Sequence, residues 1–422
     1  MAAFRYAPLD RTRNEIRLLE LNGAEATLVH YSLGRDREEA SGGKPHDNDD
    51  IDLTPRHDST SNVPNFAAVS YVWGTSPPTR WIRIDGARFA IRPTLRRFLD
   101  RLQAREFMTR LWIDSICIDQ QDDAEKSHQI GLMKRIFTTA ERVCVWLGEP
   151  GGGTSEEQIR SALGQMNAFV NAGGYVDVVR PEMMGLLTQL AALPYWGRIW
   201  MVQEVVLARR LDVLWGGVRF DGSLLEMLNE VGRPADDPLM ARMERAMPPR
   251  RRDVLDLLAG SKMGRLLHLR QVLQLERHVD AEFYFRRLWL LVLLYVGSSA
   301  ATVPHDKVYG LLGLVQERIM VDYSKPLADV YRDAIRTMPV RDQADFAVVT
   351  GRWSRATISW RLLSRDCCPV AGEDVFLFYK RSVITLDEVL SWILDGENER
   401  GGSFLAAVIF RGTTFPARYR VQ

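Results

Sequence analysis

Ten residues constrain this chain more than any others: Leu111-Trp112-Ile113-Asp114-Ser115-Ile116-Cys117-Ile118-Asp119-Gln120. The run is apolar on both faces, yet Asp114 sits in its middle and Asp119-Gln120 ends it. A strand buried on both sides reads as a near-continuous apolar run, the signature of a parallel sheet covered by helices. An acid inside such a run costs several kcal/mol unless it is paired or lies at the strand's open end. Ligands of parallel α/β sheets bind at the carboxyl ends of the strands. The block therefore predicts a central parallel strand that delivers polar groups to a site.

The flanking sequence supports that reading. Phe66 to Gly74 and Arg142 to Gly148 are two further buried, strand-like runs. Between them Pro93 sits where a first helical residue is favoured, with Leu95, Phe98, Leu99 and Leu102 at i, i+3, i+4 and i+7. Asp122-Asp123-Ala124-Glu125 resembles a capping box opening a helix whose apolar face is Ile130, Met133, Ile136, Phe137 and Ala140. Strand, helix, strand with short loops predicts an α/β fold, a parallel sheet flanked by helices. Asn22-Gly23 and Asp85-Gly86 each separate two short apolar runs and predict hairpins. Leu211 to Trp215 predicts another strand.

The 422 residues suffice for two or three domains at roughly 150 residues each. The organisation expected is an N-terminal hairpin over 1–33, a disordered acidic loop over 34–65 around Asp47-Asn48-Asp49-Asp50, and the α/β unit over 66–217. A mainly helical region over 235–340 and a poorly patterned tail over 341–422 follow. A net charge of +1 provides no field for nucleic acid. The longest apolar run, Leu288 to Val296, is far short of the ~20 residues that cross a bilayer, and no apolar signal core opens the chain. Four cysteines form no disulfide framework. The expectation is a soluble cytoplasmic protein with no membrane span and no nucleic-acid partner.

Familiar catalytic motifs are absent. Gly151-Gly152-Gly153 lacks the third glycine of a dinucleotide loop, the seven histidines show no zinc spacing, and there is no G-x-S-x-G elbow. No cofactor and no metal are expected. The polar residues inside apolar runs remain. Asp114 reads either as a structural acid accepting backbone N–H groups or as a site residue. Glu204 lies on a predicted helix amid Val202, Val205, Val206 and Leu207, one turn after Trp200. It reads either as a site carboxylate with a raised pKa or as the partner of an arginine such as Arg198 or Arg209.

Taken together, these blocks resemble the fungal heterokaryon incompatibility (HET) domain. Ser70-Tyr71-Val72-Trp73-Gly74 is similar to that family's SYxWG, and Leu111 to Gln120 to its LWIDxxCIxQ, with Asp119 where asparagine is common. Glu125, Gln129 and Met133 fit its ExxxQxxxM helix, and Val143 to Gly148 its VxVWLG strand. Trp196, Arg198, Trp200, Gln203 and Glu204 fit WxRxWxxQE. Two later blocks, Asp306 to Gly313 and Val321 to Ser324, recur downstream of such domains, whereas the tail after about residue 345 lacks the block expected next.

The resemblance implies a trigger of programmed cell death in self/non-self recognition between fungal cells, with an incompatibility partner or activator protein. HET domains are remotely similar to TIR domains, some of which hydrolyse NAD with a glutamate in a WCxxE helix. Trp200-Met201-Val202-Gln203-Glu204 has the same spacing, with Met201 in place of cysteine. The resemblance thus implies a TIR-like sheet, Glu204 as catalytic residue, NAD as substrate rather than cofactor, and Ser70, Tyr71, Trp73, Asp119 and Trp200 as its lining. The alternative is a non-catalytic signalling module acting through homotypic assembly.

Overall fold

Alternation along each strand decides how the sheet is covered. The computed structural model describes residues 4–22, 25–34, 64–103, 110–174, 179–231, 249–275, 299–314, 319–336, 346–349 and 407–410. In chain order, β1 (Glu15–Asn22) and β2 (Glu25–Ser32) form the first hairpin, and β3 (Ala67–Tyr71) is buried at every position. β4 (Arg80–Ile84) and β5 (Ala87–Ile91) form the second hairpin, followed by α1 (Pro93–Gln103) and β6 (Arg110–Trp112). Asp85 and Gly86 have φ of 51° and 74°, the left-handed pair that a tight hairpin turn requires.

Next come α2 (Asp114–Cys117), α3 (Asp123–Gly131), α4 (Met133–Thr139) and β7 (Arg142–Trp146). After α5 (Glu156–Asn171) and α6 (Pro181–Ala191), a 3-10 turn (Pro194–Gly197) leads into α7 (Trp200–Val206). β8 (Leu211–Trp215), β9 (Val218–Asp221) and α8 (Ser223–Val231) close the unit. Beyond it lie α9 (Pro249–Gly260), α10 (Lys262–Leu275), α11 (Asp306–Tyr309) and α12 (Leu327–Arg336). A separate antiparallel pair joins β10 (Phe346–Val349) to β11 (Ala407–Phe410).

The nine-stranded sheet runs β5-β4-β2-β1-β6-β3-β7-β8-β9. Its centre, β6-β3-β7-β8, is parallel, as expected for an α/β fold. Counting only these four strands, the first in sequence lies between the second and the third. The order reverses at β3, which makes the carboxyl end of β3 a topological switch point where α/β sheets place ligands. β1 pairs antiparallel with β6 and β2 parallel with β4, so the N-terminal hairpin is built into the same sheet rather than standing beside it. A buried ion pair ties it there. Arg17 on β1 reaches both oxygens of Glu125 on α3, at 2.6 and 2.9 Å, and donates to the carbonyls of Cys117 and Ala7.

The ten-residue block differs from expectation. Only Arg110–Trp112 is strand, and Asp114–Cys117 is a single helical turn. The Asp114 carboxylate accepts the Ser115 N–H at 2.7 Å, and the Cys117 N–H bonds the Ile113 carbonyl at 2.7 Å. A short acid bonding its own backbone competes with a strand ladder, and here it wins. The capping box is also half formed. Asp122 accepts from Ala124 and Glu125, but the Glu125 side chain turns to Arg17 instead of back to the cap. Most of the acidic loop at 34–65, the proline-rich linker near 234, the Leu288 run and nearly all of the tail lie outside the described residues.

Candidate functional site

Strand alternation sends neighbouring residues of β3 to opposite faces. Ala68 and Ser70 face the layer containing α4 and α7, whereas Ala67, Val69 and Tyr71 face α1. Ser70, the one hydroxyl on the inner side of this strand, meets α7. Its Oγ donates to the Glu204 carboxylate, lies 2.6 Å from the Tyr195 hydroxyl and 3.1 Å from the Met201 sulfur. Ser70, Tyr195 and Glu204 are all buried. With one proton on the serine directed to Glu204, the tyrosine donates to serine, and the three form a donor chain ending on the carboxylate.

Burial pushes the Glu204 carboxyl from its ordinary value up to about 8; the Asp114 charge raises it further, while the Ser70 bond and Arg198 pull it down. Burial raises Asp114 to about 6, opposed first by Arg198 and then by Trp73 and the Ser115 N–H. The Tyr195 hydroxyl is driven well above its usual range by burial and then by Glu204, so it stays a neutral donor. Two carboxyls with raised pKa values, both acted on by the Arg198 guanidinium, form an acid/base constellation of the kind that marks sites.

A second tier, half-buried apart from the buried Tyr71, adjoins this floor. Arg198, half-buried at the end of the 3-10 turn, donates to the Tyr71 carbonyl at 2.9 Å. The Tyr71 hydroxyl lies 2.7 Å from Ser115 Oγ, and the Trp73 indole N–H lies 3.1 Å from both Asp114 oxygens. The Arg92 guanidinium stands 5.9 Å from the Trp73 ring. Asp114, Arg92, Arg198 and the half-exposed Trp73 thus gather near the carboxyl ends of β3 and β6, with Glu204 reaching in from α7.

Among the residues singled out from the sequence, the structure bonds Ser70 to Glu204, whereas the Tyr71 and Trp73 side chains lie with the other face of β3 and join the set through the Tyr71 carbonyl on Arg198 and the Trp73 indole on Asp114. Asp119 and Trp200 are engaged elsewhere. The Asp119 carboxylate caps its own turn by accepting from the Gln121 N–H at 3.0 Å, and its N–H bonds Glu125. Trp200 donates its indole N–H to Asp306 at 3.1 Å. The helical turn of α2 is what carries Asp119 away, because it rotates the chain after Asp114. Arg209 is exposed, and Arg198 is the arginine that acts on Glu204.

Tyr195, Arg198 and Ser115 were missed as site residues. Arg198 is named in the sequence only as part of the WxRxWxxQE block and as a neutralising partner; the structure sets it between the 3-10 turn and α7, the helix that carries Glu204. Tyr195 carried no signal beyond a hydroxyl in an apolar Pro-Tyr-Trp-Gly turn. Among the described residues no group of three or more His, Cys, Asp or Glu could hold a metal ion, and no helix is long and apolar enough to cross a membrane.

Comparison with known proteins gives two matches. Residues 66–204 match the family described as "Heterokaryon incompatibility protein (HET)", and Glu204 is the last residue matched. The chain is also 28% identical to "Heterokaryon incompatibility protein 6, OR allele" of Neurospora crassa, over 66% of this chain and 48% of that protein. The chain therefore spans about half the length of this relative. No solved structure matches the chain.

Proposed function

We propose that this chain, which carries a HET domain over residues 66–204, acts in fungal heterokaryon incompatibility and programmed cell death by hydrolysing NAD at Glu204. The incompatibility role rests on the family match and on the Neurospora relative. The observation that supports chemistry at the site is the donor chain Tyr195–Ser70–Glu204, placed at the sheet's switch point beside Asp114 and Arg198. The TIR resemblance of the Trp200 to Glu204 helix supplies the reaction class.

In that reaction the bond between ribose C1′ and the nicotinamide nitrogen breaks, and nicotinamide leaves as a neutral ring with the electron pair. Water adds to C1′ and releases one proton, giving ADP-ribose, nicotinamide and H⁺. Departure needs no general acid. A carboxylate holding the ribose hydroxyls stabilises the oxocarbenium-like transition state, the role one carboxylate plays in glycoside hydrolysis. Glu204 has to be ionised for this, and burial pushes it up to about 8. The cationic nicotinamide ring of the bound substrate favours the ionised form, so binding itself prepares the carboxylate. Ser70 keeps the carboxylate oriented, and the half-exposed Trp73 offers aromatic surface to a ring.

Homotypic assembly without chemistry would call for a continuous apolar surface. Among the described residues the exposed large apolar side chains are Trp81, Met227, Val303 and Met320, on four separate segments, and Arg88 stacks on Trp81 at 4.4 Å. The test is expression of wild type and Glu204→Gln, with NAD, nicotinamide and viability followed together. The expected result is NAD loss with stoichiometric nicotinamide in the wild type and a fall of about a hundredfold or more in the variant. Killing by the wild type at constant NAD refutes the hydrolase. Undiminished NAD loss by the folded variant removes Glu204 as the catalyst.

A further inference from the structure

The two blocks downstream of the HET match, Asp306 to Gly313 and Val321 to Ser324, converge on the helix that carries Glu204. Asp306 is buried, and both of its oxygens are taken. Oδ2 accepts the Trp200 indole N–H at 3.1 Å, and Oδ1 accepts the Tyr323 hydroxyl at 2.8 Å. Trp200 and Glu204 are one turn apart on α7. The Gly313 N–H donates to Gln203 Oε1 at 3.3 Å, while Gln203 Nε2 lies 3.4 Å from the Met133 sulfur. At the entry to α7 the Ile199 N–H bonds the Ala300 carbonyl at 3.0 Å, and the Ala300 N–H bonds Gly197 at 2.6 Å. That two-way contact brackets Arg198.

The small residues of the first block fit the same contact. A Cβ on Gly310 would lie 2.8 Å from the Asp306 carbonyl and 3.1 Å from Ile199. One on Gly313 would lie 2.6 Å from Gln203 Oε1 and 3.0 Å from Leu207. Tyr309 is bonded to the Asp322 backbone through its hydroxyl, so the two blocks hold each other as well as α7. Each end of a seven-residue helix is therefore fixed from outside. Such a helix has little stability alone, because nucleation is costly and few internal bonds offset it.

We propose that residues 299–314 and 319–323 brace the Glu204 helix, and that Asp306 is a positioning residue which sets Glu204 through Trp200. The catalytic half of this rests on the reading of Glu204 as the reacting carboxylate; the mechanical half does not. Trp200→Phe keeps the ring and deletes the N–H, and Asp306→Asn keeps the shape and removes the charge.

Both variants of the full chain are to be examined by hydrogen exchange and by NAD turnover. Exchange of the α7 amides is expected to quicken about tenfold or more, with β3 and β7 unchanged. In turnover kcat falls about tenfold while KM changes less than twofold, and the double variant is no worse than the poorer single one. Unchanged α7 exchange in Trp200→Phe overturns the brace. Full kcat in that variant overturns the positioning role. If the wild type turns over no NAD, the hydrolase reading fails by itself, and exchange still decides the brace.

Discussion

Replacing Glu204 by glutamine should make the protein more stable at alkaline pH, and the gain should grow with pH. The carboxyl ionises at its ordinary value of 4.5 in the unfolded chain and at about 8 in the folded one. Between those values the folded state holds more protons than the unfolded state, so wild-type stability falls as pH rises, with no contribution from this group below 4.5. At about 1.36 kcal/mol per tenfold change, the penalty is roughly 1 kcal/mol at pH 5.5, about 3 at pH 7 and about 5 at pH 8.5.

Glutamine is neutral throughout and forfeits about 1 kcal/mol of hydrogen bonding to Ser70. The two proteins should therefore match near pH 5.5, and the variant should lead by about 3–4 kcal/mol at pH 8.5. Denaturant unfolding of both at pH 5.5, 7 and 8.5 measures the difference, and most other titrations cancel in it. A difference that stays flat over that range means that Glu204 is not held neutral by burial, and the electrostatic account of the site falls with it.

Arg17→Met leaves Glu125 buried without its cation and should cost about 3–5 kcal/mol by denaturant unfolding, with Arg17→Met/Glu125→Gln recovering part of the loss. A fragment of residues 66–217 should fail to give a cooperative unfolding transition, because β6 loses its β1 neighbour and Glu125 loses Arg17. Gly86→Ala should cost about 1 kcal/mol in the same assay, although a Cβ there meets nothing within 4 Å, since the cost lies in the left-handed φ of 74° alone. An unchanged midpoint would place the turn outside the cooperative unit.

Elements with local grammar were legible in the sequence. Asp85-Gly86, Pro93 with its apolar spacing, and the runs at β3, β7 and β8 each appear in the structure where their patterns place them. The block at Leu111 to Gln120 was not, because a short run apolar on both sides looks the same as buried strand or buried helical turn. Its hydrogen bonds decide, and Asp114 directs them to its own backbone.

The sequence by itself determined that Ser70 and Glu204 are polar groups inside apolar elements, and hence costly to bury unless bonded. Only the tertiary structure decided that they bond to each other across 134 positions, that Arg198 and Asp114 set the charge balance between them, and that Asp119 and Trp200 face elsewhere. The reason is physical. Propensity and periodicity act within a few residues and fix which face of an element is apolar. Strand order and the packing of residues 299–314 and 319–323 against α7 are fixed by long-range contacts, and they alone place one element's face against another's.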